Sequence, residues 1–116
     1  MPDCFPSVPA PPAVVHSAFV YILQCADGSF YTGQTCDVPE RIRKHGYGMG
    51  SKFTRDHATV RLVFWEGPMS PRAAVSREAQ LKRWSRAKKE ALIRNDIEQL
   101  KSLARSRSGM NENGVR

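Results

Sequence analysis

The chain has 116 residues, enough for one domain, and its 41% hydrophobic and 25% charged residues are ordinary for a globular protein. Its 18 Lys and Arg against 11 Asp and Glu give a net charge of +7, which favours a polyanion such as nucleic acid as partner, with a solvated basic face as the alternative. Three cysteines without a Cys-x-x-Cys pair argue against a disulfide framework or a zinc site, and they suit a protein of the reducing cytoplasm. No apolar run reaches the roughly 20 residues that span a bilayer.

The chain begins with a proline-rich lead-in, which we expect to be extended and disordered over residues 1–16 because it contains five prolines. It has no basic start, so a signal peptide is not expected. The first regular structure predicted is a β-hairpin. "AFVYILQC" (18–25) and "FYTGQT" (30–35) are β-prone runs, and "ADGS" between them is a turn signal.

Two registers of this hairpin are compatible with the sequence. A two-residue turn would place Tyr21 opposite Gln34 and would put Tyr21 and Tyr31 on opposite faces of the sheet. A three-residue loop, with Gly28 in the left-handed conformation, would place Tyr21 opposite Gly33 and both tyrosines on one face. A site shared by the two phenols needs the second register, with open space above Gly33.

A helix is predicted over "CDVPERIRKHG" (36–46). Asp37 is a suitable N-cap, and Glu40 follows it by three residues as in a capping box. Arg41 and His45 are four residues apart, so they lie on one face of this helix.

The second half of the chain predicts one strand and two helices. After a Gly-rich basic loop (47–57), the strand is "VRLVFWEG" (60–67). One helix is capped by Ser70 and runs to residue 84, and the other is capped by Ser85 and runs to residue 103. The polar tail from Ala104 is expected to be flexible. The order β-β-α-β-α-α predicts an α+β fold over residues 17–103, with a small three-stranded antiparallel sheet flanked by helices.

One acidic residue interrupts the apolar stripe of the penultimate helix. Ala74, Glu78 and Leu81 are spaced by four and three residues, so they share a face. A carboxylate at such a boundary needs a partner. An ion pair with Arg77 or Lys82 is one possibility, and a hard divalent metal such as Mg²⁺ is the other.

Together these residues resemble a known family. "FVY" (19–21), "YTG" (31–33), Arg41, His45 and Glu78 resemble the GIY-YIG nuclease domain, and the similarity runs from about Ala18 to Ile93. The chain looks like the small single-domain bacterial branch, similar to the catalytic domain of the excision-repair incision subunit. Phe19 stands where the family name has its first glycine, and Thr32 where it has its second isoleucine.

The resemblance implies a DNA endonuclease that uses a single Mg²⁺ or Mn²⁺ ion. By analogy Tyr31 would be the general base or would position the attacking water, and Tyr21 would orient water and phosphate. Arg41 would neutralise the scissile phosphate, and His45 would assist proton transfer or hold Tyr31. Glu78 would hold the metal.

The basic side chains are expected to contact DNA phosphates with little sequence readout. The candidates are Lys44, Lys52, Arg55, Lys82 and Arg86, while Gly28 and Gly33 have structural roles. An alternative function is a weak or inactive nucleic-acid-binding module that acts with a partner protein. The partner would then supply specificity.

Overall fold

The computed structural model describes residues 5–46 and 60–108, without the side chains of 45, 46 and 104–108. None of the described helices is long and apolar enough to cross a membrane. The chain divides into two compact units, one up to Lys82 and one from Arg83 onward. The elements are β1 (Ala18–Cys25), β2 (Phe30–Thr35), α1 (Val38–Gly46), β3 (Val60–Met69), α2 (Pro71–Lys82), α3 (Arg86–Arg94) and α4 (Ile97–Ser108).

The described strands form an antiparallel sheet in the order β2-β1-β3, which confirms the predicted α+β fold. All eight residues of β1 are buried, so both faces of the central strand are covered. Because side chains alternate along a strand, Phe19, Tyr21 and Leu23 share one face. They form a buried cluster with Val38 of α1 and Leu62 of β3.

The hairpin between β1 and β2 has the three-residue loop. The Cys25 N–H donates to the Ser29 carbonyl at 2.8 Å, and the Gly28 N–H donates to the Cys25 carbonyl at 2.8 Å. Gly28 has a φ of 90°, in the left-handed region that favours glycine. Tyr21 therefore lies opposite Gly33, which confirms the register that places both tyrosines on one face.

The three predicted helix caps are confirmed. Asp37, Ser70 and Ser85 each accept a hydrogen bond from the backbone N–H three residues later. The capping-box role of Glu40 is not seen. Its carboxylate instead accepts from Arg43 at 2.7 Å, one helical turn further on.

The prediction of one helix over 85–103 is wrong. Asn95 adopts the left-handed conformation with a φ of 59°, and the Asp96 N–H donates to the Ala91 carbonyl at 2.9 Å. These features end α3. Asp96 then accepts from the Gln99 N–H at 3.1 Å and so caps α4. The Asn-Asp pair therefore separates two helices.

Residues 5–16 and 104–108 are described, and both segments form backbone structure that was not expected. The helix α4 continues to Ser108, so the flexible tail does not begin at Ala104. The lead-in is attached to the sheet from Phe5 onward, because its extended backbone leaves peptide groups available for hydrogen bonds. The bonds join Phe5 N to Gln24 Oε1 (2.8 Å), Val8 N to the Leu62 carbonyl (2.9 Å) and Trp65 Nε1 to the Pro9 carbonyl (3.0 Å).

The buried amide of Gln24 gives a test of this attachment. Its Oε1 accepts from Phe5, and its Nε2 donates to the Gly28 carbonyl at 3.3 Å. In Gln24→Leu the Phe5 N–H and the Gly28 carbonyl each lose their hydrogen bond to the amide, so we expect a loss of about 1–3 kcal/mol in the free energy of unfolding. Amide exchange at Val8 should also accelerate. Ser29→Ala, in the exposed loop, is the control, and equal effects of both substitutions would contradict the role of Gln24.

Candidate active site

The site begins with a close contact between a side chain and a bare backbone. A Cβ atom built on Gly33 would lie 2.6 Å from the Tyr21 hydroxyl oxygen and 3.2 Å from Cε2 of Tyr31. The first distance is far below van der Waals contact. The phenol of Tyr21 thus occupies the volume that any larger residue at position 33 would need, and this gives a steric reason for the Tyr-x-Gly triplet.

The two phenols differ in their surroundings. Their ring centroids are 6.4 Å apart with an interplanar angle of 42°. Tyr21 is fully buried, whereas Tyr31 is half-buried. Burial, and then the nearby Tyr31, raise the pKa of Tyr21 well above its ordinary value. The Tyr21 hydroxyl therefore keeps its proton at neutral pH.

Two groups of opposite charge act on this buried hydroxyl. The positively charged guanidinium of Arg41 is near enough to lower the pKa of Tyr21 in part. The carboxylate of Glu78 has the opposite effect and raises this pKa. Tyr31, Arg41 and Glu78, from β2, α1 and α2 respectively, are therefore within electrostatic range of Tyr21 on β1.

The position of Arg41 follows from the way α1 begins. The Arg41 N–H donates to the carbonyl of the cap residue Asp37 at 3.1 Å. Val38 is fully buried in the core and fixes the orientation of the helix. His45 lies one turn after Arg41 in the backbone of α1, and its side chain is outside the described residues.

Glu78 lies at the edge of the buried side of α2. Ala74 and Leu81 are fully buried, and the Glu78 side chain is 21% exposed. One carboxylate oxygen pairs with Lys82 at 3.0 Å, and the Lys82 side chain is 54% exposed. The ion pair considered from the sequence is therefore present, while the charge of Glu78 still reaches the hydroxyl of Tyr21.

A second ion pair fixes α2 and was not expected. Arg77 donates from Nε to Oε2 of Glu66 at 2.7 Å and from Nη2 to Oε1 at 3.3 Å. This two-point contact joins β3 to α2 at the residue before Glu78. The sequence offered Arg77 only as a partner of Glu78, since no helical spacing links it to a residue of β3.

Glu78 is the candidate metal ligand at this site. Among the described residues, no group of three or more His, Cys, Asp and Glu is arranged to hold a metal ion. Cys25 and Cys36 are free thiols, and burial raises the pKa of Cys25. A single carboxylate fits Mg²⁺, which keeps several waters and takes further oxygens from substrate phosphates.

The predicted DNA-contacting residues are only partly described. Lys44 is exposed on α1 and lies 3.9 Å from Glu40. Arg86 opens α3 in the second unit and pairs with Glu90 at 3.0 Å. The loop 47–57, with Lys52 and Arg55, lies outside the described residues. Phosphate contact by these side chains stays a prediction.

Comparison with known families agrees with this geometry. The GIY-YIG catalytic domain matches residues 17–91. The chain belongs to the GIY-YIG family. It therefore has a domain of the nuclease type, and this confirms the resemblance seen in the sequence.

Several GIY-YIG relatives are of similar size. The chain is 42% identical over 78 residues to a UPF0213 protein of Streptococcus pneumoniae, covering 67% of this chain and 79% of the relative. It is 50% identical over 76 residues to the UPF0213 protein BH0048 of Halalkalibacterium halodurans, covering 65% and 80%. The solution NMR structure of UPF0213 protein BH0048 from Bacillus halodurans matches with 45% identity and a TM-score of 0.46, covering 69% of this chain and 85% of that one.

The contact at Gly33 predicts a specific clash in Gly33→Ala. The added Cβ would meet the hydroxyl of buried Tyr21, so we expect a loss of about 1–3 kcal/mol in the free energy of unfolding. In Tyr21→Leu the hydroxyl and ring are absent, so adding Gly33→Ala to that variant should cost much less. Urea denaturation of the four proteins measures the coupling. Additive effects would show that the clash is not the cause.

The raised pKa of Tyr21 predicts a decline of stability at alkaline pH. Above about pH 10 the unfolded state loses the phenolic proton while the folded state keeps it. The unfolded state then binds fewer protons, so stability falls as pH rises, by up to about 1.4 kcal/mol per pH unit. In Tyr21→Phe the free energy of unfolding should decline less steeply above pH 10. Between pH 7 and 9 it should depend on pH as in the unaltered chain. Parallel curves for both proteins up to pH 11.5 would contradict the burial of the phenol.

Proposed function

We propose that this GIY-YIG protein is a metal-dependent endonuclease that hydrolyses phosphodiester bonds of DNA. The observation that carries the proposal is the convergence of Arg41 and Glu78 on the Tyr21 hydroxyl beside the half-buried Tyr31. Phosphodiester hydrolysis needs a nucleophile, a positive group for the added negative charge, and a stabilised leaving oxygen. Tyr31 is the candidate that activates the attacking water, and Arg41 is the candidate positive group. A metal at Glu78 would stabilise the leaving oxygen.

The burial of the two tyrosines supports different roles for them. Tyr21 keeps its proton, so it serves as a hydrogen-bond donor that orients the phosphate or the water. Tyr31 is half-buried and has access to solvent, so it is the phenol that activates or positions the attacking water. His45, one turn after Arg41 on α1, assists the proton transfer.

Arg41 is suited to charge neutralisation because its positive charge already acts on the Tyr21 hydroxyl before substrate binds. The arginine charge persists at any working pH. We expect it to stabilise the negative charge that develops on the scissile phosphate.

Glu78 would hold Mg²⁺ or Mn²⁺ through its carboxylate, and the bound ion would supply positive charge at the phosphate and the leaving oxygen. The pair with Lys82 does not prevent this. Lys82 is more than half exposed, and such surface ion pairs contribute about 0–1 kcal/mol. A divalent ion that also contacts substrate phosphates can displace a contact of that strength.

The second candidate function is a nucleic-acid-binding module with weak or absent turnover that acts with a partner protein. The same ion pair favours it, because the Glu78 carboxylate is already engaged by Lys82. Both functions use a positive surface. They differ in whether strand cleavage occurs.

A nicking assay tests the proposal. The purified chain should convert supercoiled plasmid to the nicked form with Mg²⁺ or Mn²⁺ and not with EDTA. Tyr31→Phe, Arg41→Gln and Glu78→Gln should each lower the rate by about 100-fold or more, since each removes a group acting at the phosphate. Arg72→Gln, an exposed change on α2, is the control for loss of one positive charge.

The same assay separates the two candidate functions. Cleavage that persists in Glu78→Gln and Tyr31→Phe would point to a contaminating nuclease and would overturn the assignment of these residues. DNA binding without cleavage under either metal, on supercoiled, branched and single-stranded DNA, would favour the binding module.

A further inference from the structure

The buried side of α2 is narrow, and a charged residue lies at each of its edges. Ala74 and Leu81 are fully buried and lie on one line along the helix. Since successive helical residues are about 100° apart, the half-buried Arg77 and Glu78 lie on opposite sides of that line. A rotation of α2 about its axis therefore moves one of these side chains toward the sheet and the other away from it.

Apolar packing determines this rotation only weakly. Of the twelve residues of α2, only Ala74 and Leu81 are buried, and hydrophobic contact is not directional. The cap at Ser70 accepts from the Ala73 N–H at 3.1 Å, so it holds the first turn of the helix. Glu78 lies two turns after this cap. A directional contact further along α2 is needed to set the orientation of its carboxylate.

The pair between Arg77 and Glu66 is such a contact. Both oxygens of Glu66 accept from the guanidinium, at 2.7 and 3.3 Å, and the two side chains are only 25% and 30% exposed. A two-point contact of this kind restricts the angle between the partners as well as their distance. Arg77 also donates to Oε1 of Gln80 on its own helix at 2.8 Å. One edge of the buried side of α2 is therefore joined to β3 in a defined orientation.

The strand β3 is irregular where it presents Glu66. The pairing with β1 joins Val20 to Glu66 and Ala18 to Met69, so one residue of β1 lies opposite two residues of β3. Gly67, the first of these two, has a φ of 134°, which favours glycine. Bulges of this kind redirect neighbouring side chains and recur beside active sites. The bulge therefore contributes to the direction in which Glu66 leaves the strand.

We propose that Glu66 is a positioning residue of the candidate active site, which binds Arg77 and so turns α2 to direct the Glu78 carboxylate toward the Tyr21 hydroxyl. The helix packs against β1 and β2, the strands that carry the two tyrosines. The inference rests on the proposed function, in which Glu78 holds the metal. A misplacement of a catalytic group by about 1 Å can cost about 100-fold in rate, so the orientation of this carboxylate matters.

The kinetic test uses Glu66→Gln, which removes the charge and keeps the shape of the side chain. In the plasmid-nicking assay kcat should fall about tenfold or more, while KM for DNA stays within about twofold. The matched control is Glu90→Gln, which removes the same charge and breaks a pair with Arg86 in the second compact unit. It should keep kcat within about twofold. A lower free energy of unfolding in Glu66→Gln with unchanged kcat would show a merely structural role and would overturn the proposal.

The effect of Glu66 should depend on Arg77. Arg77→Gln should lower kcat as far as Glu66→Gln does, and the double variant should be no slower than either single variant. Losses that multiply in the double variant would show that Glu66 acts by another route and would overturn the proposal. Urea denaturation checks that all these proteins are folded under the assay conditions.

A second measurement needs no cleavage. Mn²⁺ added to the ¹⁵N-labelled chain should broaden the backbone amide signals around Glu78 and also that of Gly33, whose backbone lies against the Tyr21 phenol. Mg²⁺ gives the diamagnetic reference, and Glu78→Gln should remove the broadening at both places. In Glu66→Gln the broadening on α2 should persist and that at Gly33 should weaken. Equal broadening at Gly33 with and without the Glu66 charge would overturn the proposal, as would no broadening on α2 of the unaltered chain.

Together the two measurements keep this inference separate from the proposed function. If no protein nicks DNA and the broadening at Gly33 depends on Glu66, the positioning role stands and the nuclease proposal fails. If nicking occurs and Glu66→Gln has the kcat of the unaltered chain, the nuclease proposal stands and the positioning role fails.

Discussion

The contact between the Tyr21 phenol and the bare backbone of Gly33 sets the geometry of the site. It exists only in the hairpin register that places these two residues opposite each other, and a slip of one residue would turn one tyrosine to the other face. The left-handed conformation at Gly28 fixes that register from the loop. A single steric requirement thus links the turn, the strand pairing and the position of the two phenols.

The same contact explains the electrostatics. A phenol that packs on backbone is removed from water, and its neutral form is then strongly favoured. The half-buried guanidinium of Arg41 lowers the pKa of Tyr21 only in part. The helices α1 and α2 deliver charges of opposite sign to this neutral group. The backbone of Arg41 is hydrogen-bonded to the cap residue Asp37, and the Arg77–Glu66 pair joins α2 to β3 one residue before Glu78. The site is therefore assembled by local signals on each helix and by one close contact on the sheet.

The sequence predicted the features that depend on neighbouring residues. The hairpin, the three helix caps and the apolar stripe interrupted by Glu78 are such local patterns, and they gave the strand and helix order up to α2. It did not predict features that depend on contacts between distant residues. The lead-in attaches through Gln24 and Leu62, and Arg77 reaches Glu66 on another element. The break at Asn95 was missed for a different reason, since the helical pattern on both sides of it outweighed a two-residue stop signal.

The small number of protein ligands affects how a metal ion would bind beside Glu78. Mg²⁺ bound through Glu78 alone would take its other oxygens from water and from substrate phosphate, so metal and DNA would each raise the affinity of the other.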